Sequence, residues 1–303
     1  MAAVAAGVAN AFTVDVEDYY QVEAFARTVR REDWDRFPSH VARNTEALLD
    51  MLARHGVHGT FFVLGWVAER HPELVKKIAQ AGHEVASHGY SHNMITRQTP
   101  GVFRGETRRA KALLEDLAQR PVIGYRAATY SITPKTVWAL DILAEEGFQY
   151  DSSVFPIRHD RYGIVGAPRL PYVAQCRNGM RITEFPISTA RLFGTNLPIA
   201  GGGYFRLFPY ALSAAGLRGV NAEGAPFVFY LHPWEIDPAQ PRMRAGLLSQ
   251  FRHRVGLARC AAKLERLLSD FSFTTAAEVL AAVPTQSMGH FEHEWEEEAL
   301  ADA

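Results

Sequence analysis

Residues 11–18 read AFTVDVED: AFTVDV (11–16) is a strand rich in β-forming side chains, and it runs into three carboxylates, Asp15, Glu17 and Asp18. An apolar strand closing on acids is a core element whose end carries chemistry. The pattern recurs along the chain. GTFFVLG (59–65), HEVASHG (83–89), PVIGYR (121–126) and the stretch around Phe148–Asp151 read as further strands, and FVFYLH (227–232) as the clearest buried one. Helical spacing separates them: Val41, Leu48, Leu49 and Leu52 across 40–55, closed by Gly56; a helix entered at Pro72 and closed by Gly82; one near 101–118; one from Thr133; and helix, strand, helix within 264–283. Strand alternating with helix, without a break in composition, predicts an α/β fold on a parallel sheet, open or closed into a barrel. In such folds the site lies at the carboxyl ends of the strands. Asp15–Asp18, His88, Arg126, Asp151 and His232 all stand at those ends.

Two stretches look different. Residues 155–225 are rich in Pro and Gly and show no strong helix period, so hairpins and loops are expected there, inserted into the barrel or capping its mouth. From Thr285 the chain holds Glu292, Glu294, Glu296, Glu297, Glu298 and Asp302 with no Lys or Arg, which predicts a mobile acidic tail over 284–303 behind a catalytic domain of 1–283 with its core motifs in 11–237.

Composition narrows the function. The 32 Lys+Arg against 33 Asp+Glu leave a formal charge of −1 over 303 residues, which gives no reason to expect nucleic acid or an anionic membrane as the main partner. Two cysteines, Cys176 and Cys260, exclude a disulfide framework and a cysteine-based zinc module. No stretch is long and apolar enough to span a membrane. Residues 1–12 lack the basic start of a secretory signal, so a cytoplasmic protein is expected. Nothing in the sequence fixes the oligomeric state.

The histidines carry the next step. His88 and His92 follow a strand end four residues apart, a spacing that on a helical turn lets two imidazoles grip one metal. A catalytic site needs a third protein ligand, and the Asp15–Asp18 cluster can supply it, because three acids so close repel one another unless a cation lies among them. Alternation along an extended strand puts Asp15 and Glu17 on one side. The three glycines at 201–203 have no following Lys-Ser/Thr, which excludes a phosphate loop. They fit a simple turn or a close backbone approach at the cleft rim.

Taken in order, DVED, HGYSH (88–92), RAATYS (126–131), the Asp151 strand and LHPWE (231–235) resemble the polysaccharide deacetylase family, carbohydrate esterase family 4 or NodB-homology domain, over roughly residues 11–283. DVEDYYQV (15–22), GGGYFRL (201–207) and YLHPWEID (230–237) resemble the branch found with exopolysaccharide gene clusters. The resemblance implies a distorted (β/α) barrel of about seven parallel strands and a metal-dependent hydrolase that removes N-acetyl groups from a glycan. Under it Asp15 is the general base, His88 and His92 are metal ligands, and the third ligand is Asp18, slightly preferred, or Glu17. Arg126 positions Asp15 through a bidentate pair, and the backbone N–H near Tyr130 serves the oxyanion hole. His232 is the general acid, held protonated and oriented by Asp151. Leu231 and Trp234 would wall the acetyl pocket, and Tyr204 and Arg206 would contact sugar. Glu235 and Asp237 are left between binding substrate and capping the next segment. Zn2+ suits two imidazoles and a carboxylate, with Co2+, Ni2+, Mn2+ or Fe2+ compatible with the same set. The rival enzyme reading is an allantoinase-like hydrolase of a small amide on the same fold. A rival of another class is a carbohydrate-binding protein without catalysis.

Overall fold

Odd-numbered residues of the first strand face one core and even-numbered ones another, and all seven are buried. In the computed structural model, which describes residues 8–159, 162–284 and 288–291, the chain runs β1 (Asn10–Val16), α1 (Val41–His55), β2 (Thr60–Val63), α2 (Gly65–Arg70), α3 (Pro72–Gln80), β3 (Glu84–Ser87), α4 (Pro100–Ala118), β4 (Gly124–Tyr125), α5 (Trp138–Glu145) and β5 (Tyr150–Asp151). It continues through β6 (Tyr172–Gln175), β7 (Arg181–Glu184), β8 (Thr189–Leu192), β9 (Thr195–Pro198), α6 (Gly202–Leu207), α7 (Tyr210–Ala222), β10 (Val228–Leu231), α8 (Leu247–Arg254), α9 (Leu257–Asp270), β11 (Phe273–Thr274), α10 (Ala276–Ala282) and β12 (Gly289–Phe291). The predicted punctuation holds: Gly56 ends α1 at φ 62° and Pro72 opens α3.

Seven strands pair in the order β10-β1-β2-β3-β4-β5-β7, and every neighbour is parallel. This is the α/β barrel expected from the sequence. Phe12, Val14 and Val16 join Phe61, Val63, Phe229 and Leu231 in an outer core against helix residues such as Leu48, Ile78, Leu114 and Leu264. Ala11, Phe62, Ala86, Tyr150, Val228 and Tyr230 form the inner core, joined by Ala276 and Val279 of α10. The Ala276 amide donates to Thr60 Oγ1 at the start of β2 (2.7 Å), so α10 stops the amino end of the barrel. Burial on both faces explains why these strands read as continuous apolar runs.

The ladder is open between β7 and β10, and the segment between them fills the seam. The Val228 amide donates to Ser188 Oγ (2.9 Å) and the Tyr230 amide to the Ala200 carbonyl (2.9 Å). Gly201 bridges Tyr230 at φ 139°, where an added Cβ would stand 1.9 Å from the Tyr230 carbonyl oxygen. The close backbone approach foreseen for the glycine run therefore serves barrel closure. Gly201→Ala is expected to cost roughly 3 kcal/mol or more, read as a fall in melting temperature.

Residues 155–225 depart from the hairpins-and-loops expectation. They contain the hairpin β8-β9 and two further strands, but also α6 and α7. In α7 the buried positions Tyr210, Ser213, Ala214, Leu217 and Val220 keep helical spacing. Ser213 and Ala214 at two of these five positions muted the apolar signal. The expected tail is divided as well: Gly289–Phe291 pairs with β6, and residues 292–303 lie outside the described residues.

Candidate active site

Strand alternation aims the chemistry. Ala11, Thr13 and Asp15 share a face, as do Ala86 and His88, Tyr150 and Ser152, and Val228, Tyr230 and His232, so the inward-facing residue just beyond each inner core is polar. The Glu17 amide bonds the Asp15 carbonyl (3.0 Å), a tight bend that keeps Glu17 at the same mouth. His92 is not presented by a helical turn, contrary to expectation. Gly89 (φ 73°) and His92 itself (φ 51°) reverse the chain instead, bringing the two imidazole centroids to 5.4 Å.

Glu17, His88 and His92 each offer a ligand atom, and the three atoms lie within 4.8 Å of one another, all buried. Burial would raise the Glu17 carboxyl, but His92, His232 and His88 together hold it at about 2. Its Oε2 stands 2.8 Å from His92 Nε2 without hydrogen-bond alignment, leaving a buried carboxylate oxygen with no donor. His88 Nδ1 donates to the Arg126 carbonyl (2.8 Å), which turns its other nitrogen toward the cluster as a lone pair. Burial pushes this imidazole down to about 4, so it stays neutral. Two imidazole nitrogens and an orphaned carboxylate oxygen are a set that a divalent cation fits. Asp18, the slightly preferred ligand, lies outside this set: its carboxylate accepts from Ser39 Oγ (2.7 Å) and from the amides of Tyr19, His40 and Val41, which fixes it at the start of α1.

Asp15 lies beside this cluster. Its Oδ1 accepts from Arg126 Nη1 (2.7 Å), while Oδ2 faces the Tyr130 hydroxyl (3.5 Å) and His232 Nε2 (3.9 Å). The expected bidentate pair does not form, because the fully buried Arg126 spends its other donors on Thr13 Oγ1 and on the Ser152 carbonyl and hydroxyl. The guanidinium also lies 4.1 Å over the Phe62 ring. Asp15 is thus anchored through Oδ1, with Oδ2 beside Tyr130 and His232 at the cavity wall. The Tyr130 amide, expected at the oxyanion hole, donates instead to the Ala127 carbonyl (3.0 Å), and the Tyr130 hydroxyl is directed at Asp15.

His232 is held by a carboxylate, but not by Asp151. Its Nδ1 lies 2.7 Å from Glu235 Oε1, and Glu235 Oε2 accepts from Arg206 Nε (2.5 Å). The Pro233–Ile236 turn makes this a capping box, with Glu235 also accepting the His232 amide (3.0 Å). Burial opposes charge on His232, but Glu17, then Glu235 and Asp15, raise it to about 9. Asp151 follows the inward Tyr150 by one residue and so points out, where it bonds Ser153 and pairs in register with Glu184 of β7. Leu231 fails for the same reason: it precedes inward His232 and sits in the outer core. Trp234 does line the cavity, stacked between His232 (5.2 Å) and His253 (4.5 Å), with its Nε1–H 3.4 Å from Glu17 Oε1. Arg206 also lines it, but its donors are taken by Glu235 and by the carbonyls of Arg252, His253 and Val255. Tyr204 is not among the cavity residues and packs toward Phe208.

Sequence reasoning missed Glu235 as the partner of His232 and His253 as a cavity wall. The spacing of three residues after His232, across a helix-starting proline, was the available signal for Glu235. Glu235→Gln is expected to lower turnover about 10- to 100-fold and to move the basic limb of the pH–rate profile to lower pH. Asp151→Asn should leave that limb in place.

These groups surround a cavity of about 250 Å³ whose walls include Asp15, Glu17, His88, His92, Tyr130, Tyr162, His232 and Trp234. Residues 33–150 match the family model described as polysaccharide deacetylase. Over that stretch the chain is similar to the polysaccharide deacetylase family. Residues 152–281 match a domain of unknown function (DUF3473), so the border between the two models falls at β5, inside one barrel. The polysaccharide deacetylase match therefore supplies His88, His92 and Arg126, and the second match supplies Arg206, His232 and Glu235. Among curated proteins, a chitooligosaccharide deacetylase of a Bradyrhizobium strain is 32% identical over 100 residues, 33% of this chain and 43% of that one. A peptidoglycan-N-acetylglucosamine deacetylase of Bacillus cereus is 38% identical over 74 residues, 24% of this chain and 27% of that one. The chain thus spans less than half the length of these relatives. A solved Mycobacterium smegmatis structure, provisionally named a polysaccharide deacetylase, shares the fold at a TM-score of 0.64 with 23% identity, covering 96% of this chain and 95% of that one. The Puue allantoinase shares it at 0.59 with 17% identity, covering 90% and 89%.

Proposed function

We propose that this protein is a metal-dependent hydrolase that removes N-acetyl groups from a polysaccharide or oligosaccharide, an exopolysaccharide or its precursor. The observation that carries the reading is the convergence, at one barrel mouth, of a buried Glu17–His88–His92 set with a carboxylate oxygen of Asp15 and the carboxylate-held His232. Glu17, His88 and His92 would hold a divalent cation, which supplies Lewis-acid polarisation of an amide carbonyl and acidifies water. Zn2+ is the first candidate by ligand type.

The chain's own groups account for the proton movements. Asp15 Oδ2 takes a proton from the attacking water while Arg126 keeps Oδ1 fixed, so the basic oxygen stays aimed at the cavity. An amine leaves poorly as an anion, so a proton must reach the nitrogen as its bond to the acetyl carbon breaks. His232 Nε2 carries it. Glu235 holds Nδ1–H on the far side of the ring, and Arg206 holds Glu235. Trp234 and His253 stack behind the ring and exclude water from that face.

Metal analysis coupled to acetate release over a panel of N-acetylated glycans, with allantoin alongside, tests the reading. Stoichiometric metal and acetate from at least one glycan are expected. Metal-loaded protein that consumes allantoin and releases no acetate overturns it in favour of the small-amide reading. Protein that holds no metal and releases nothing favours the binding-only one.

A further inference from the structure

The net charge of −1 conceals a local imbalance. From Pro238 to Leu264 the chain holds Arg242, Arg244, Arg252, Arg254, Arg259 and Lys263 and no acidic residue. Among the described residues none of these arginines makes an ion pair, although neighbouring surfaces are laced with them. The same stretch exposes apolar side chains on α8: Leu247 is 87% exposed, Leu248 61% and Phe251 58%. At about 100° per residue these three fall within an arc of roughly 100°, with Arg252 at one edge and Arg254 at the other. Buried His253 lies opposite, and the carbonyls of Arg252, His253 and Val255 are gripped by Arg206. One side of α8 is therefore tied to the site, and the other presents apolar residues rimmed by cations. Ser249, Arg252 and His253 put this helix on the wall of the catalytic cavity.

We propose that α8 and the arginine-bearing segment before it dock the protein on an anionic lipid bilayer, with the mouth of the cavity next to that surface. An apolar arc flanked by cations matches the boundary between headgroups and acyl chains, where leucine and phenylalanine insert and guanidinium groups meet lipid phosphates. A second copy of this patch is a poor occupant, because a two-fold contact sets the same arginines against one another. A soluble anionic polymer would engage the arginines and leave the leucines and Phe251 in water. The inference stands apart from the proposed reaction, since none of Leu247, Leu248, Phe251, Arg242 and Arg244 belongs to the catalytic set. It also replaces the expectation drawn from net charge, which averages over surfaces that a membrane meets one at a time.

The test is co-sedimentation of the full chain with vesicles of phosphatidylcholine alone and of phosphatidylcholine mixed with phosphatidylglycerol. Binding to the mixed vesicles, weakened by added salt, is expected. The L247S/L248S/F251S variant should bind them at least about tenfold more weakly. The R242Q/R244Q variant should bind about tenfold more weakly and with less salt dependence. Both should release acetate from a soluble glycan at the normal rate, so failure of docking and failure of the hydrolase reading are told apart. Wild-type protein that does not sediment with the mixed vesicles, or a triple-serine variant that binds as well as wild type, overturns the proposal. So does a wild-type dimer in sedimentation velocity that the triple-serine variant converts to monomer, which would assign the patch to a second copy.

Discussion

Glu17→Ala is expected to weaken the bound divalent metal by at least about a hundredfold and to abolish acetate release, while the chain still folds. The expectation follows from Glu17 standing within ligand reach of both imidazoles, with Oε2 buried and lacking a hydrogen-bond donor. Its other oxygen lies 3.4 Å from His232 Nε2, so the variant also removes the main charge that favours imidazolium. Asp18→Ala is the counterpart. Removing a carboxylate that accepts several donors at the start of α1 should cost about 1–3 kcal/mol of stability and leave metal content unchanged. Metal analysis and thermal melting of both variants separate the two residues. Stoichiometric metal on Glu17→Ala together with loss of metal on Asp18→Ala would reverse the assignment.

The second large effect is expected at Asp15. Asp15→Asn should retain the metal, because Asp15 is outside the Glu17–His88–His92 set, yet lose about 10²- to 10⁴-fold in turnover as the proton acceptor disappears. The variant also deprives the buried Arg126 of its ion-pair partner, so some loss of melting temperature accompanies it. Rates are therefore compared well below the melting transition. A metal-replete Asp15→Asn protein with ordinary acetate release would remove Asp15 from the mechanism.

Much of this site was legible from one residue at a time. The sequence order of Asp15, His88, Arg126 and His232, each just beyond an apolar run, placed them at the carboxyl edge, and the parallel ladder puts them there. Alternation also carried information that went unused: Leu231 and His232 are neighbours on a strand, so only one of them can face the interior. The same parity removes Asp151, given an inward Tyr150.

The errors that remain share a cause. Asp18, Glu17, Asp151 and Glu235 are carboxylates of similar intrinsic character, and what separates them is which donors reach them. Most of the donors for Asp18 come from residues 39–41, the partner across from Asp151 from β7, and the cation that holds Glu235 from α6. No local pattern announces such contacts, because they are made when elements far apart in the chain are packed together. The sequence by itself determined the barrel, the strand edge that carries the candidate site and the residue types gathered there, since apolar periodicity and strand parity are local properties. Only the tertiary structure decided which carboxylate meets the imidazoles, which one steadies the acid and which merely starts a helix, because a buried charge goes to whichever distant donor the fold delivers.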